Sequence, residues 1–181
     1  DAMDGHYMDL HLYPTTLSRD RAMRESTRAQ GLLFDHRYFT YAELSERLFR
    51  SESLPGRLIE SPTQTVFVRH SLAVSLGEAP SPGLVVEYRG VIDELKGVGL
   101  GVEDFAAGLE LLDPTVSPTT RQTLHRLLEV WRCYQGCLAQ AGLVDRGDQD
   151  LAILFRLRHH LTAGTMPALL QGIRRIVVHD L

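Results

Sequence analysis

The stretch from Ser117 to Leu161 constrains the fold more than any other part of the chain. From Leu124 the apolar side chains recur at Leu127, Leu128, Trp131, Tyr134 and Leu138, spacings of three and four that set them on one face of a helix turning every 3.6 residues. A stripe of that kind needs a partner. Gly142 breaks the helix, Asp145 offers an N-cap, and a second stripe of Leu151, Leu154, Phe155, Leu157 and Leu161 begins within one turn. So short a connection predicts two antiparallel helices that bury their stripes against each other, with Trp131 held between them.

Composition limits what such a chain does. With 181 residues, 44% hydrophobic and 23% charged, it is long enough for one well-buried core and has the balance of a soluble globular protein. A formal charge of −4 argues against a generally basic nucleic-acid binder, because affinity for a phosphate backbone comes from Lys and Arg releasing counterions. Any nucleic-acid contact must therefore be local. Of nineteen basic residues only Lys96 is a lysine, and the rest are planar arginine donors suited to phosphate or carboxylate. Cys133 and Cys137 lie four apart on one helix, where a disulfide is not favoured, and this points to a reducing, cytoplasmic setting. No apolar run reaches membrane-spanning length, and no charged n-region precedes an apolar h-region. The opening DAMDGHYM reads as an artificial leader with a start at Met3 or Met8, outside the fold.

Taken in order, Asp9–Tyr13 alternates as a short strand that meets Pro14, and an arginine-rich helix runs from Thr16 or Ser18 to Gln30, where Gly31 stops it. Leu32–Phe34 is a second short strand or an inward-packing loop. Thr40 with Glu43 forms a capping box for a helix whose buried stripe is Tyr41, Leu44, Leu48 and Phe49. Residues 51–59 read as a polar linker, and Ser61 opens a helix with Pro62 in its first turn and another capping box. A helix to Lys96 and a short one over Val102–Leu112 precede the long helical pair. The run IRRIVVHDL, from Ile173, reads as a buried parallel strand.

Three of these stretches carry a family resemblance. The run RLLEVWRCYQGCLAQAGLVDRGDQDLAIL, with Tyr134, Leu138, Gly142, Leu143 and Asp145 in a YxxxLxxxGLxD pattern, resembles a segment of UvrD-like superfamily 1 DNA helicases and of AddB-type helicase–nuclease subunits. SPGLVVEYRGVIDELKGVGLGVEDFAAGL is similar to a run in the AddB-type subunits, and FTYAEL to the TxxxL motif of the first RecA-like domain. The three stand in the family's order and touch roughly half of the chain. In that family a Gly- and Lys-bearing phosphate loop follows the first strand. Here Pro14, Thr15 and Thr16 occupy the place, with no glycine or lysine, and the proline removes an amide donor. The closing strand ends in Asp180 where the family has its magnesium-binding aspartate, followed by Leu181 instead of glutamate. The resemblance thus implies an ATP and magnesium site that is degenerate, so that no cofactor is expected, and it places Thr40 and Tyr41 on the DNA-facing side.

Other chemistry-bearing groups have ordinary readings. Asp93, Glu94 and Lys96 imitate part of a PD-(D/E)xK nuclease site, but Val85, Tyr88, Val91, Ile92 and Leu95 put the motif on a helix, where a solvated face is the reading taken. Cys133 and Cys137 lack a second pair for zinc, and His125 is too distant, so no metal is expected. His159 and His160 read as surface residues at a helix end, and His179 as a structural residue at a strand end.

The expected architecture is therefore α/β and mostly helical. A partial RecA-like (P-loop NTPase-like) half-domain comes from residues 9–60 and 166–181, with a helical insertion at 61–165. By resemblance the chain is a fragment of a DNA repair and recombination protein, an ATPase-inactive helicase-like scaffold. It contributes to DNA binding beside a helicase–nuclease partner subunit, with no membrane role and no catalytic residue of its own. The alternative is a helical protein-interaction module with no nucleic-acid role. Adjacent, parallel pairing of Leu10–Tyr13 with Ile173–His179 is the feature that separates the two.

Overall fold

The computed structural model describes residues 8–31, 37–113 and 115–179, so the element expected at Leu32–Phe34 and the aspartate Asp180 lie outside the described residues. In chain order the elements are β1 (Met8–Tyr13), α1 (Thr16–Gln30), β2 (Arg37–Thr40), α2 (Tyr41–Ser51), β3 (Arg57–Leu58), α3 (Ser61–Leu76), α4 (Pro82–Gly97), α5 (Val102–Glu110), α6 (Pro118–Gln140), β4 (Leu143–Val144), α7 (Arg146–Ala163) and β5 (Ile173–Val178). The protein is α/β, 67% helical with a small parallel sheet. Two compact units divide it: residues 1–54 with 155–181, and residues 55–154.

The first unit is built on a three-stranded sheet in the order β2–β1–β5, with both pairings parallel. Alternation along β1 sends Leu10 and Leu12 to one face, where Phe39, Leu44, Leu170 and Ile173 close a small core, and sends His11 and Tyr13 to the other. Thr15 caps α1, and Gly31 ends it at φ 81, a backbone region that favours glycine. Thr40 and Glu43 form the expected capping box on α2. Glu52 at the end of α2 is held by Arg156 (2.8 Å) and His160 (2.9 Å), so His160 is a half-buried hydrogen-bond partner instead of a surface residue. His160 foremost, then Arg156, holds the Glu52 carboxyl below its ordinary value.

Three expectations for this unit need correction. Met8 belongs to β1, not to a leader. Tyr41 opens α2 with 37% of its surface exposed, outside the buried pair Leu48 and Phe49, and it is Leu44 of the same turn that packs on the small core. The closing strand is parallel but not buried: Arg174, Arg175, Ile176 and Val178 are exposed, since β5 pairs only with β1 among the described residues and stands at the sheet edge.

The second unit is helical. Val68 and Leu72 of α3, Val85 and Ile92 of α4, and Val130, Trp131, Tyr134 and Leu138 of α6 form its core, with Phe105 of α5 against it. The helical stripe predicted along α6 is thus buried, yet its partners are α3, α4 and α5, and α7 adds no buried residue to the cluster. The antiparallel pair is not formed as expected. The chain turns at Gly142 (φ 64) and runs extended as β4, which pairs in parallel with β3: the Arg57 amide donates to the Gly142 carbonyl at 3.0 Å and the Ile59 amide to that of Val144 at 2.9 Å. A strand therefore intervenes where a tight helical turn was predicted, and the stretch read as a polar linker supplies its mate. Phe155 and Leu161 of the second stripe are exposed. The capping box expected at Ser61 is also absent: Ser61 is the first helical residue, and its hydroxyl accepts from Arg89 at 2.9 Å.

Candidate functional site

In an open parallel sheet, ligands lie outside the carboxyl ends of the strands, where the connections diverge. In the first unit that edge carries Tyr13 beside its register partner Thr40, with Pro14, Thr15 and Thr16 directly beyond β1. Thr15 Oγ1 accepts from the Ser18 amide at 3.2 Å, and the Ser18 hydroxyl donates to the Thr15 carbonyl at 2.9 Å. The start of α1 is thus capped by its own side chains. Arg19 is committed to Asp20 (2.7 Å) and to Glu43, and the guanidinium holds the Glu43 carboxyl below its ordinary value. A cleft of about 390 Å³ remains, lined by Tyr13, Thr15, Leu17, Ser18 and Arg21 among others.

One face of the same edge is aromatic. His179 stacks on Tyr13 with ring centroids 4.3 Å apart and 2° between planes, and His11 stacks on Tyr38 at 5.0 Å. His11 Nδ1 and His179 Nε2 share a hydrogen bond of 2.9 Å, so at least one of these rings is an acceptor in this state. The alternation in DLHLY already sets His11 and Tyr13 opposite the two leucines, which is the sequence signal for this face; its meeting with His179 comes only from sheet pairing. Of the residues expected to touch DNA, Thr40 is buried and spends its hydroxyl on the Glu43 amide (3.2 Å), whereas Tyr41 is open to solvent.

The second unit holds a buried ionic cluster that sequence reasoning missed. Lys96 was expected on a solvated helix face, yet it is 3% exposed. Its ammonium donates to Asp145 Oδ2 (2.6 Å), Asp148 Oδ1 (2.6 Å) and Gln135 Oε1 (3.0 Å), which uses all three protons. The Tyr134 hydroxyl donates to Asp145 at 2.6 Å, and burial pushes that hydroxyl's pKa far up, so it stays a donor. Asp145 Oδ1 also accepts from the Asp148 amide at 2.8 Å and so caps α7. Burial foremost, then the nearby Asp145, raises the Asp148 carboxyl above its ordinary value, and Lys96 opposes the rise. The cluster ties the end of α4, the middle of α6 and the start of α7 together with no donor left over on Lys96, which is the pattern of a clamp and not of a reactive amine.

Asp93 and Glu94 are exposed residues, and Asp93 accepts from Gln64 Nε2 at 2.6 Å. The nuclease-like motif therefore does not converge, and among the described residues no group of three potential metal ligands exists. Cys133 and Cys137 are free and half-buried, and burial foremost pushes the Cys137 thiol up. Gly147 completes the clamp, because a Cβ there would stand 2.6 Å from Lys96 Cδ and 2.7 Å from Lys96 Cβ. Gly147→Ala is accordingly expected to cost about 1–3 kcal/mol through overpacking, read as a lower urea midpoint with an unchanged slope. An unchanged midpoint would contradict the close passage of the lysine stem.

No protein-family model matches the chain, and no curated protein matches it either.

Proposed function

We propose that the chain is an ATPase-inactive, helicase-like scaffold related to the UvrD-like DNA helicases and AddB-type helicase–nuclease subunits, and that it holds DNA during repair or recombination. Residues 9–60 and 166–181 make a RecA-like half-domain in this reading, with residues 61–165 inserted, and a partner subunit in the cytoplasm supplies hydrolysis. The observation that carries it is the parallel pairing of β1 with β5 on the side away from β2, with the capped turn Pro14–Thr16 where a phosphate loop would follow the central strand.

The test joins nucleotide and DNA measurements. Magnesium–ATP turnover should be absent, and Asp180→Ala should change nothing; turnover abolished by that substitution would overturn the reading. Single-stranded DNA should bind weakly at low salt, and Tyr41→Ala should weaken it about tenfold, the effect of one lost stacking contact. Thr40→Ser keeps the cap and should bind like wild type. No binding by the wild type at low salt sends the weight to a protein-interaction module, a second reading favoured by the exposed Val66, Val74 and Val86 of the helical unit.

A further inference from the structure

The net charge of −4 conceals a division between the two units. Residues 1–54 with 155–181 carry eleven arginines against ten acidic residues, four of which, Asp1, Asp4, Asp35 and Asp180, lie outside the described residues. Residues 55–154 carry eight basic against thirteen acidic residues. Among the elements of the described first unit α1 carries the most arginines, four against two acidic residues. Arg21, Arg24 and Arg28 follow Leu17 at steps of four, three and four, which lays the four side chains along one helix face. That face is the outer one: Arg19 reaches Glu43 on α2 and Ser26 accepts from the Tyr38 hydroxyl at 3.1 Å, whereas Leu17, Arg21, Arg24 and Arg28 are all exposed.

The two acidic residues of α1 do not neutralise the stripe. Asp20 is taken by Arg19, and Glu25 pairs with Arg21 in an exposed contact of the kind that contributes little. Arg24 and Arg28 have no carboxylate partner among the described residues. The stripe also has a beginning: Arg21 and Leu17 line the cleft at the carboxyl edge with the hydroxyl residues Thr15 and Ser18. From there the two unpaired guanidinium groups continue along the helix at a rise of about 6 Å from one to the next.

We infer that the outer face of α1 is a phosphate-tracking surface, on which Arg24 and Arg28 hold successive phosphates of a single nucleic-acid strand that enters at the Thr15–Arg21 cleft. Planar guanidinium groups repeated along one line suit a regular polyanion, and arginine contacts to phosphate fix position without reading sequence. The inference rests on the DNA-holding reading above and adds to it the surface used.

The experiment is anisotropy of a labelled single-stranded oligonucleotide against the whole chain over a salt series, for wild type, Arg24→Gln/Arg28→Gln, and Arg126→Gln as a control in the acidic unit. The double variant should bind about tenfold more weakly at low salt, with a slope of log K against log salt shallower by about 1.4, the share of two phosphate contacts. The control should match wild type. Wild-type binding that the double substitution leaves unchanged in affinity and slope would overturn the surface and leave the DNA-holding reading standing. Failure of the wild type to bind would remove both. A polyglutamate chain that binds as tightly as the oligonucleotide, and is lost equally in the double variant, would assign the stripe to an acidic protein segment instead.

Discussion

Lys96→Met is expected to lower the stability of the helical unit by about 3–5 kcal/mol, the cost of leaving buried charge without its partner. Methionine fills much of the space of the lysine stem, so the loss reports on charge and hydrogen bonding more than on a cavity. In the variant Asp145 and Asp148, both largely withdrawn from water, face each other with Tyr134, Gln135 and backbone amides as the hydrogen-bond donors left to oppose their charge among the described residues. The Asp148 carboxyl already sits above its ordinary value with the lysine present, and removing the cation drives it higher. A carboxyl whose folded value is raised binds its proton more tightly in the folded state than in the unfolded one, so the stability of the variant falls as pH rises through that window. The loss should accordingly be largest at neutral pH and shrink on acidification toward the ordinary carboxylate range. Lys96→Met/Asp145→Asn should recover part of it, because the remaining buried charge is single. Urea midpoints of the three proteins at pH 7 and pH 5 measure the effect, and a Lys96→Met midpoint within the error of wild type at both values would show that the cluster is not a clamp.

The same lysine shows where the sequence was legible and where it was not. Val85, Ile92 and Lys96 are seven and four residues apart, so periodicity alone sets Lys96 on the buried face of α4, although Asp93, Glu94 and Lys96 together read as a solvated face. What decides the matter is Asp145 and Asp148, forty-nine and more residues onward, which arrive only through the tertiary fold. Local signals carried well. Gly31, Gly142, the Thr40–Glu43 box and the Asp145 cap all mark element ends that side-chain chemistry fixes within four residues. Non-local pairing did not carry. Two residues, Leu143 and Val144, give no strand signal of their own, yet their pairing with Arg57 and Leu58 redirects the chain after α6 and undoes the predicted helical pair. The aromatic edge is similar in kind: His11 and His179 are 168 residues apart, and only the parallel register of β1 and β5 brings their rings within a hydrogen bond. The exposed face of β5 follows from what lies beside a strand, which its composition cannot state.

Trp131→Ala is the second large effect, expected at about 3–5 kcal/mol for a fully buried aromatic. The indole is 0% exposed, lies in the core cluster with α3 and α4, and meets the Phe105 ring at 5.7 Å and 47°. Since α5 is only a nine-residue helix, loss of the indole removes much of what holds it to α6, and its amides should exchange faster before the rest of the unit opens. The indole Nε1 has no hydrogen-bond partner among the described residues, so it carries a desolvation cost that phenylalanine would not. Trp131→Phe should for that reason lose clearly less than Trp131→Ala, although it also gives up apolar volume. Trp131 is the single tryptophan of the chain, so native fluorescence reports on this unit alone and should be blue-shifted and shielded from iodide. An emission maximum like that of tryptophan in water, or equal losses for the phenylalanine and alanine variants, would place the indole outside the core and leave the stripe along α6 without its centre.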